Sequence, residues 1–249
     1  MAKFIKASSI PSYLSGVVFC LCPLYPEITH IRHDDHIRLV LRGLLRQHGS
    51  NINCKQPISF TDLDKLFTTY PHKSYDNQLF LTMLTVGFFG LLRLGELADS
   101  NDVRLINRCK TIQHKSLYFT ASSAGFILPA SKTDRFFAGN KVIVKSNHHH
   151  NDPVQAVRLY VNQHDQPFPN LPWLWLTSQG IPPTRSWFLN CFHLHFDTRY
   201  RGHSMRAGGA TLLAQHGVPF HVIQAIGRWS SETFLIYIRT HPSLLIPAT

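Results

Sequence analysis

Apolar and polar positions recur along this chain with two different periods, and the switches between them mark its elements. Around Pro11–Phe19 and His36–Gln47 the apolar residues fall at helical spacing. In the second stretch Ile37, Leu39, Val40, Leu41, Leu44 and Leu45 make a broad apolar face. Arg38, Arg42 and Arg46 form a basic stripe on it at i, i+4 and i+8, suited to a solvated surface or to phosphate contact. His48-Gly49-Ser50-Asn51 stops that helix and opens a linker through Pro57. Ser59 or Thr61 then caps a fresh helix. From Asn77 to Ala98 the chain is apolar enough to predict one continuous core helix, ending in Leu91-Leu92-Arg93-Leu94-Gly95-Glu96-Leu97.

Between 111 and 145 the period shortens. Leu117-Tyr118-Phe119, Phe126–Leu128 and Lys141–Val144 predict three short strands, joined by Ser122-Ser123-Ala124-Gly125 and by a Gly139-Asn140 turn. Pro153–Gln163 returns to helix with proline in its first turn. A proline-rich connection over Pro167–Pro183 follows, then helices at about Thr184–Phe196, Met205–His216, Pro219–Ile226 and Ser231–Arg239. The fold class expected is mainly α with a small antiparallel β-sheet, an α+β arrangement.

Composition narrows the partners. Hydrophobic residues are 44% and charged residues 16% of the 249, the balance of a folded chain. Lysine and arginine number 25 against 14 acids, a formal charge of +11, which favours a polyanion such as nucleic acid or an anionic membrane surface. The longest apolar run, Leu79 to Leu92, falls short of the roughly 20 residues a spanning helix needs, so it reads as core. The N-terminus lacks a cleavable leader pattern. Five cysteines, an odd number without metal-ligand spacing, predict reduced and mostly buried thiols in an intracellular protein.

The chemistry-bearing residues cluster late. His203-Ser204-Met205-Arg206, Gly227-Arg228-Trp229-Ser230-Ser231 and Tyr237 all lie within 35 residues of one another, a set suited to holding a phosphodiester while a phenol attacks. Upstream, Arg93 closes an otherwise greasy helix and must reach solvent or an anion, with Glu96 available at i, i+3. Lys132 lies in the turn between two predicted strands, where a lysine is ordinarily solvated. His148-His149-His150 point in divergent directions and read as a polar loop rather than a metal site. Trp173, Trp175 and Trp187 read as core, and Gly208-Gly209 as a close helix contact rather than a phosphate cradle.

Taken together, Leu-Leu-Arg93-Leu-Gly-Glu-Leu, the Lys132 segment Ser131-Lys132-Thr133-Asp134, His203-x-x-Arg206, Gly-Arg-Trp229 and Tyr237 resemble the tyrosine recombinase (phage integrase-like) family over about residues 55–241. The Ser-Lys-Thr-Asp and Gly-Arg-Trp-Ser-Ser phrasing is most similar to the eukaryotic, Crypton-like mobile-element group. The resemblance implies a catalytic domain over 53–249, preceded at 1–52 by an incomplete helical core-binding, DNA-clamping region and linker. Arg93 and Arg206 would clamp the scissile phosphate, and His203 would donate to it or accept the tyrosine proton. Lys132 would protonate the leaving 5′ oxygen, its pKa lowered by nearby arginines. Trp229 would donate its indole N–H and pack the nucleophile's helix.

Tyr237 would attack phosphorus, giving a 3′-phosphotyrosyl link. It lies eight residues after Trp229, one fewer than the commonest family spacing; Tyr200 is the other nearby phenol, outside the motif. No metal, cofactor or nucleotide is implied. The implied partners are duplex DNA and, on synapsed DNA, three further copies of the chain in a tetramer; no membrane is involved. A eukaryotic source would imply a nuclear site. The rival expectations are a catalytically inactive, domesticated or truncated DNA-binding relative, and a type IB topoisomerase that relaxes DNA without exchanging partners.

Overall fold

The computed structural model describes residues 4–48, 56–69, 74–130 and 139–230, and positions 235 and 238. The chain divides into two compact units, Met1–Cys54 and Lys55–Thr249.

The first unit carries α1 (Ile10–Leu21), α2 (Ile28–Arg32) and α3 (Asp35–His48). Arg32 ties α2 to α1 by donating to the Ser15 hydroxyl at 2.7 Å. The apolar stripe of α3 is narrower than its sequence suggests. Ile37, Leu41 and Leu44 are half-buried at i, i+4, i+7, while Leu39, Val40 and Leu45 face outward with the arginines. A helix presents only about a third of its circumference to one neighbour, so the extra apolar positions stay exposed.

The second unit is built on α5 (Tyr75–Phe89), which is buried on every side from Gln78 through Phe88. That explains its unbroken apolar pattern, because a helix covered all round has no polar face. Ser74 caps its start by accepting from the Asn77 amide. Helix α4 (Phe60–Thr69) lies before it in sequence, with Ser59 accepting from the Asp62 amide at 3.0 Å and the Asp62 carboxylate accepting from the Ser59 amide.

The expected single helix over 77–98 breaks. Helix α5 ends at Gly90, Leu91 takes a left-handed φ of +49°, and a separate turn of helix, α6 (Leu94–Leu97), follows with Arg93 at its N-cap. Apolar content alone does not reveal this corner; the Gly90 amide still bonds back to Val86, and only then does the path reverse.

Strands β1 (Tyr118–Phe119), β2 (Ser123–Leu128) and β3 (Asn140–Lys145) form an antiparallel sheet in the order β1-β2-β3. Ser123-Ala124-Gly125, read from sequence as part of a turn, instead pairs with Lys145-Val144-Ile143. Gly125 is there for space: the Tyr118 ring lies over it, and a Cβ would sit 2.5 Å from that ring. Gly139 supplies the positive φ of +76° at the start of β3. Helix α7 (Pro153–His164) packs on both α5 and the sheet. Its first turn is capped by Asp152, whose carboxylate accepts from the amides of Val154, Gln155, Asn147 and His148 and from the Ser146 hydroxyl.

The proline-rich connection is pinned through Tyr160 of α7. Its hydroxyl accepts from the Leu176 amide at 2.9 Å and lies 3.0 Å from the Leu174 carbonyl. Helices α8 (Arg185–His193, capped by Thr184), α9 (Ser204–Gln215) and α10 (Phe220–Gly227) complete the unit. Helix α9 crosses α5 at Gly208 and Gly209, where a Cβ would come within 2.0 Å of the Ile58 and Phe88 carbonyl oxygens. The glycine pair is therefore a packing device, worth the roughly 1 kcal/mol per glycine it costs a helix.

The tryptophans divide. Trp175 is in the core and Trp187 packs against it, while Trp173 is half-buried with the Arg108 guanidinium 4.8 Å over its ring. The cysteines correct the sequence expectation. Of the four described, Cys20 and Cys109 are exposed, Cys22 and Cys191 are half-buried, and none is fully buried. Cys20 and Cys22 fall in and after α1, a helix whose only fully buried residue is Ile10. No helix among the described residues is long and apolar enough to cross a membrane.

Candidate phosphate-binding site

The corner after α5 organises the site. Leu91 is fully buried and left-handed, a conformation that costs an L-residue roughly 1–2 kcal/mol. Turning there aims its carbonyl at two guanidinium groups: Arg206 Nη1 donates to it at 2.7 Å and Arg228 Nη2 at 3.1 Å. Two residues on, Arg93 caps α6. Glu96 accepts from the Arg93 amide at 2.9 Å through one oxygen and from Arg93 Nη1 at 2.8 Å through the other. The i, i+3 pair anticipated from sequence thus exists, yet the Arg93 side chain stays 23% exposed and can meet a ligand.

Arg206 is placed differently. It sits in the first turn of α9 at 2% exposure. Besides Leu91 it donates to the Gly227 carbonyl, and its guanidinium lies 3.9 Å from the centroid of the Trp229 ring. Gly227 must lack a side chain, because a Cβ would fall 1.6 Å from that ring. Trp229 also joins Leu91, Ala210, Ile223, Leu235 and Ile238 in a small second core.

His203 is the residue before α9, on the exposed side. Loss of water to the surrounding protein, then the charges of Arg206 and Arg93, hold its imidazole below the ordinary histidine pKa. Its neutral form therefore prevails at neutral pH and can accept a proton. Arg228, absent from the sequence-derived set, is the further residue the structure adds. It is 11% exposed and shares Glu96 with Arg93, at 3.3 Å. Three guanidinium groups against one carboxylate leave two net positive charges around the Leu91 corner.

Arg93, His203, Arg206 and Trp229 are thus brought to one region. Lys132 and Tyr237 lie outside the described residues. The strands flanking Lys132 pair as expected, and Leu235 and Ile238, either side of Tyr237, are helical and belong to the cluster that includes Trp229. Tyr200 is a poor substitute nucleophile. Burial and the nearby Asp62 raise its pKa, which opposes phenolate formation, and its ring packs on Phe196 at 5.2 Å.

An open cavity of about 830 Å³ leads from Arg93 and His203 past Glu96, Lys110, Arg185 and Arg201. This basic approach was invisible in sequence because its members come from four separated segments. A second cluster also escaped sequence reading. Asp165 Oδ1 lies 2.9 Å from His164 Nδ1 and 3.0 Å from His114 Nε2. The two imidazoles are stacked at 4.9 Å and within 10° of parallel. The three candidate ligand atoms lie within 4.8 Å of one another, but the parallel rings aim their in-plane lone pairs along separate lines, and His114 Nε2 makes no directed hydrogen bond among the described residues.

No protein-family model and no curated protein matches the sequence. Solved structures do. The integrase of transposon Tn1549 bound to circular-intermediate DNA superposes with a TM-score of 0.59 at 16% identity, over 95% of this chain and 76% of that one. The XerA recombinase gives 0.58 at 14% identity over 97% and 81%. The XerH site-specific recombinase, in a post-cleavage complex with its difH substrate, gives 0.55 at 14% over 98% and 71%. The mainly helical architecture with its three-stranded antiparallel sheet is the catalytic-domain fold of the tyrosine recombinases and integrases. At these identities the likeness is one of fold.

Proposed function

We propose that this chain is a DNA strand transferase that cleaves duplex DNA through a 3′-phosphotyrosyl intermediate at Tyr237. The observation that carries the reading is the convergence of Arg93, Arg206 and Arg228 on the Leu91–Glu96 corner beside a neutral-leaning His203. In the proposed step the Tyr237 oxygen bonds to phosphorus and the P–O5′ bond breaks. The phenolic proton passes to His203 or solvent, and Lys132 protonates the departing 5′ oxygen. Arg93 neutralises the phosphorane's charge from the exposed side. Arg206 contributes an N–H when the Gly227 turn yields, exchanging the Gly227 carbonyl for a phosphate oxygen.

Attack of another 5′ hydroxyl on the phosphotyrosine restores the diester, so bond energy is conserved and no nucleotide is consumed. The unit 1–52 would help clamp DNA, with the α3 arginines on phosphates, and four copies would synapse two duplexes. The Crypton-like phrasing of the Lys132 and Trp229 segments favours a eukaryotic mobile-element origin and nuclear action.

A second reading has its own observation. Arg206 is 2% exposed with both terminal nitrogens engaged by backbone carbonyls, the arrangement of a structural arginine in a DNA-binding relative that no longer cleaves. A nicked suicide duplex separates the two. The enzyme reading predicts a covalent protein–DNA adduct; binding without adduct establishes the second reading. Relaxation of supercoiled DNA without recombinants would assign topoisomerase action instead.

A further inference from the structure

Arg228 occupies a backbone position that an arginine enters at a cost. It terminates α10 with φ +56° and ψ 42°, the left-handed C-cap ordinarily filled by glycine or asparagine. Its side chain is almost wholly buried, and its Nε has no hydrogen-bond partner among the described residues. Burial pulls its pKa down, Glu96 opposes that, and Arg93 adds repulsion. A strained backbone, a desolvated charge and an unsatisfied donor on one residue call for a compensating role.

We propose that Arg228 is a positioning residue for the phosphate site, holding part of the Glu96 charge so that Arg93 keeps its own for the substrate. The inference rests on the strand-transfer reading of the site. Glu96 is nearly buried and shapes the corner, because it accepts the Arg93 amide through one oxygen and the Arg93 guanidinium through the other; a glutamine oxygen can keep the first contact without the charge. A lone Glu96 would also neutralise Arg93, the exposed arginine of the set. Arg228 Nη2 approaches the Glu96 oxygen that Arg93's guanidinium does not use. The same nitrogen donates to the Leu91 carbonyl, and Nη1 donates to Ile226 at 3.0 Å, which fixes the fork. The carboxylate is thus divided between two arginines, and the site keeps a net positive charge where the phosphorane's negative charge would develop.

The test compares wild type, Arg228→Gly and the double variant Arg228→Gly/Glu96→Gln on a nicked suicide duplex. Duplex affinity and thermal midpoint are measured alongside. Glycine suits the left-handed position, so Arg228→Gly should keep a cooperative unfolding transition. Its rate of adduct formation should fall at least about ten-fold while the duplex Kd moves less than about three-fold. Removing the Glu96 charge as well should restore the rate to within about three-fold of wild type, because the balance of charge at Arg93 is recovered. A merely structural Arg228 gives no such rescue: the double variant is then as slow as the single or slower, and the proposal is overturned. It is equally overturned if Arg228→Gly cleaves at the wild-type rate. Should the glycine variant lose its transition, Arg228→Gln, uncharged and similar in length, carries the same comparison. Absence of adduct from wild type removes the strand-transfer reading and this inference with it, whereas a wild-type adduct without the predicted pattern removes this inference alone.

Discussion

Replacing Arg206 with alanine removes a guanidinium that joins the Leu91 corner, the Gly227 turn and the Trp229 ring. The Gly227 carbonyl loses the donor that faces it, a penalty of roughly 1–3 kcal/mol for a buried acceptor left unpaired. The Leu91 carbonyl keeps Arg228, so its loss is smaller, about 0.5–1.5 kcal/mol. The cation–π contact with Trp229 contributes about 0.5–2 kcal/mol more. Release of a desolvated charge offsets part of this, leaving a net destabilisation on the order of 3 kcal/mol. For a unit of about 200 residues that corresponds to a fall in Tm of roughly 6–12 °C. Differential scanning calorimetry of Arg206→Ala measures it directly. Arg93→Ala is the contrast: its ion pair with Glu96 is partly solvated and contributes at most about 1 kcal/mol, so its Tm should fall by less than about 4 °C. Its adduct rate should nonetheless drop about 10²–10³-fold, by analogy with the loss of one oxyanion donor. An Arg206→Ala protein melting within about 2 °C of wild type would refute the assignment of Arg206 as a structural tie.

Three further outcomes follow from the same geometry. Because the His203 pKa is depressed in the folded state, the unfolded chain takes up that proton first on acidification. Its contribution to stability is present above the ordinary imidazole pKa and is lost as pH falls through the folded value; the acid limb of the cleavage rate should lie below about pH 6.5 and move up in Arg93→Ala. Gly209→Ala forces a methyl into the Phe88 carbonyl and should cost about 1–3 kcal/mol or more, read by urea unfolding; an unchanged midpoint would contradict the close crossing of α5 and α9. Asp152 is held below the usual carboxylate range: burial opposes this, but hydrogen bonds from Ser146, Gln155, His148 and Val154 outweigh it. Asp152→Asn should therefore lose about 1–2 kcal/mol near neutral pH, and the difference from wild type should shrink as pH falls through the native carboxyl pKa.

What could be read from the chain depended on how local each signal is. The helix periods, the three strands and the cap at Ser59 are local, and they lie close to where the sequence places them. Arg93, His203, Arg206 and Trp229 were legible through motif order, and the structure brings them to one corner. The corner itself was not legible. Leu91 adopts a positive φ because buried neighbours and two guanidinium donors hold it, and neither feature belongs to residues 77–98 alone. Arg228 was overlooked for the same reason: only its contact with Glu96, 132 positions away, gives it meaning. The Cys20 thiol ran against general cysteine burial because α1 buries so little of its own surface.

In the proposed reaction Tyr237 becomes covalently joined to DNA. A suicide duplex labelled 5′ to the cleavage point, incubated with the full chain and digested with protease, identifies the phosphotyrosyl peptide by mass spectrometry. A single modified residue, Tyr237, is expected, with a free 5′ hydroxyl on the released strand and no adduct from Tyr237→Phe. An adduct on Tyr200, or one that survives in Tyr237→Phe, would contradict it.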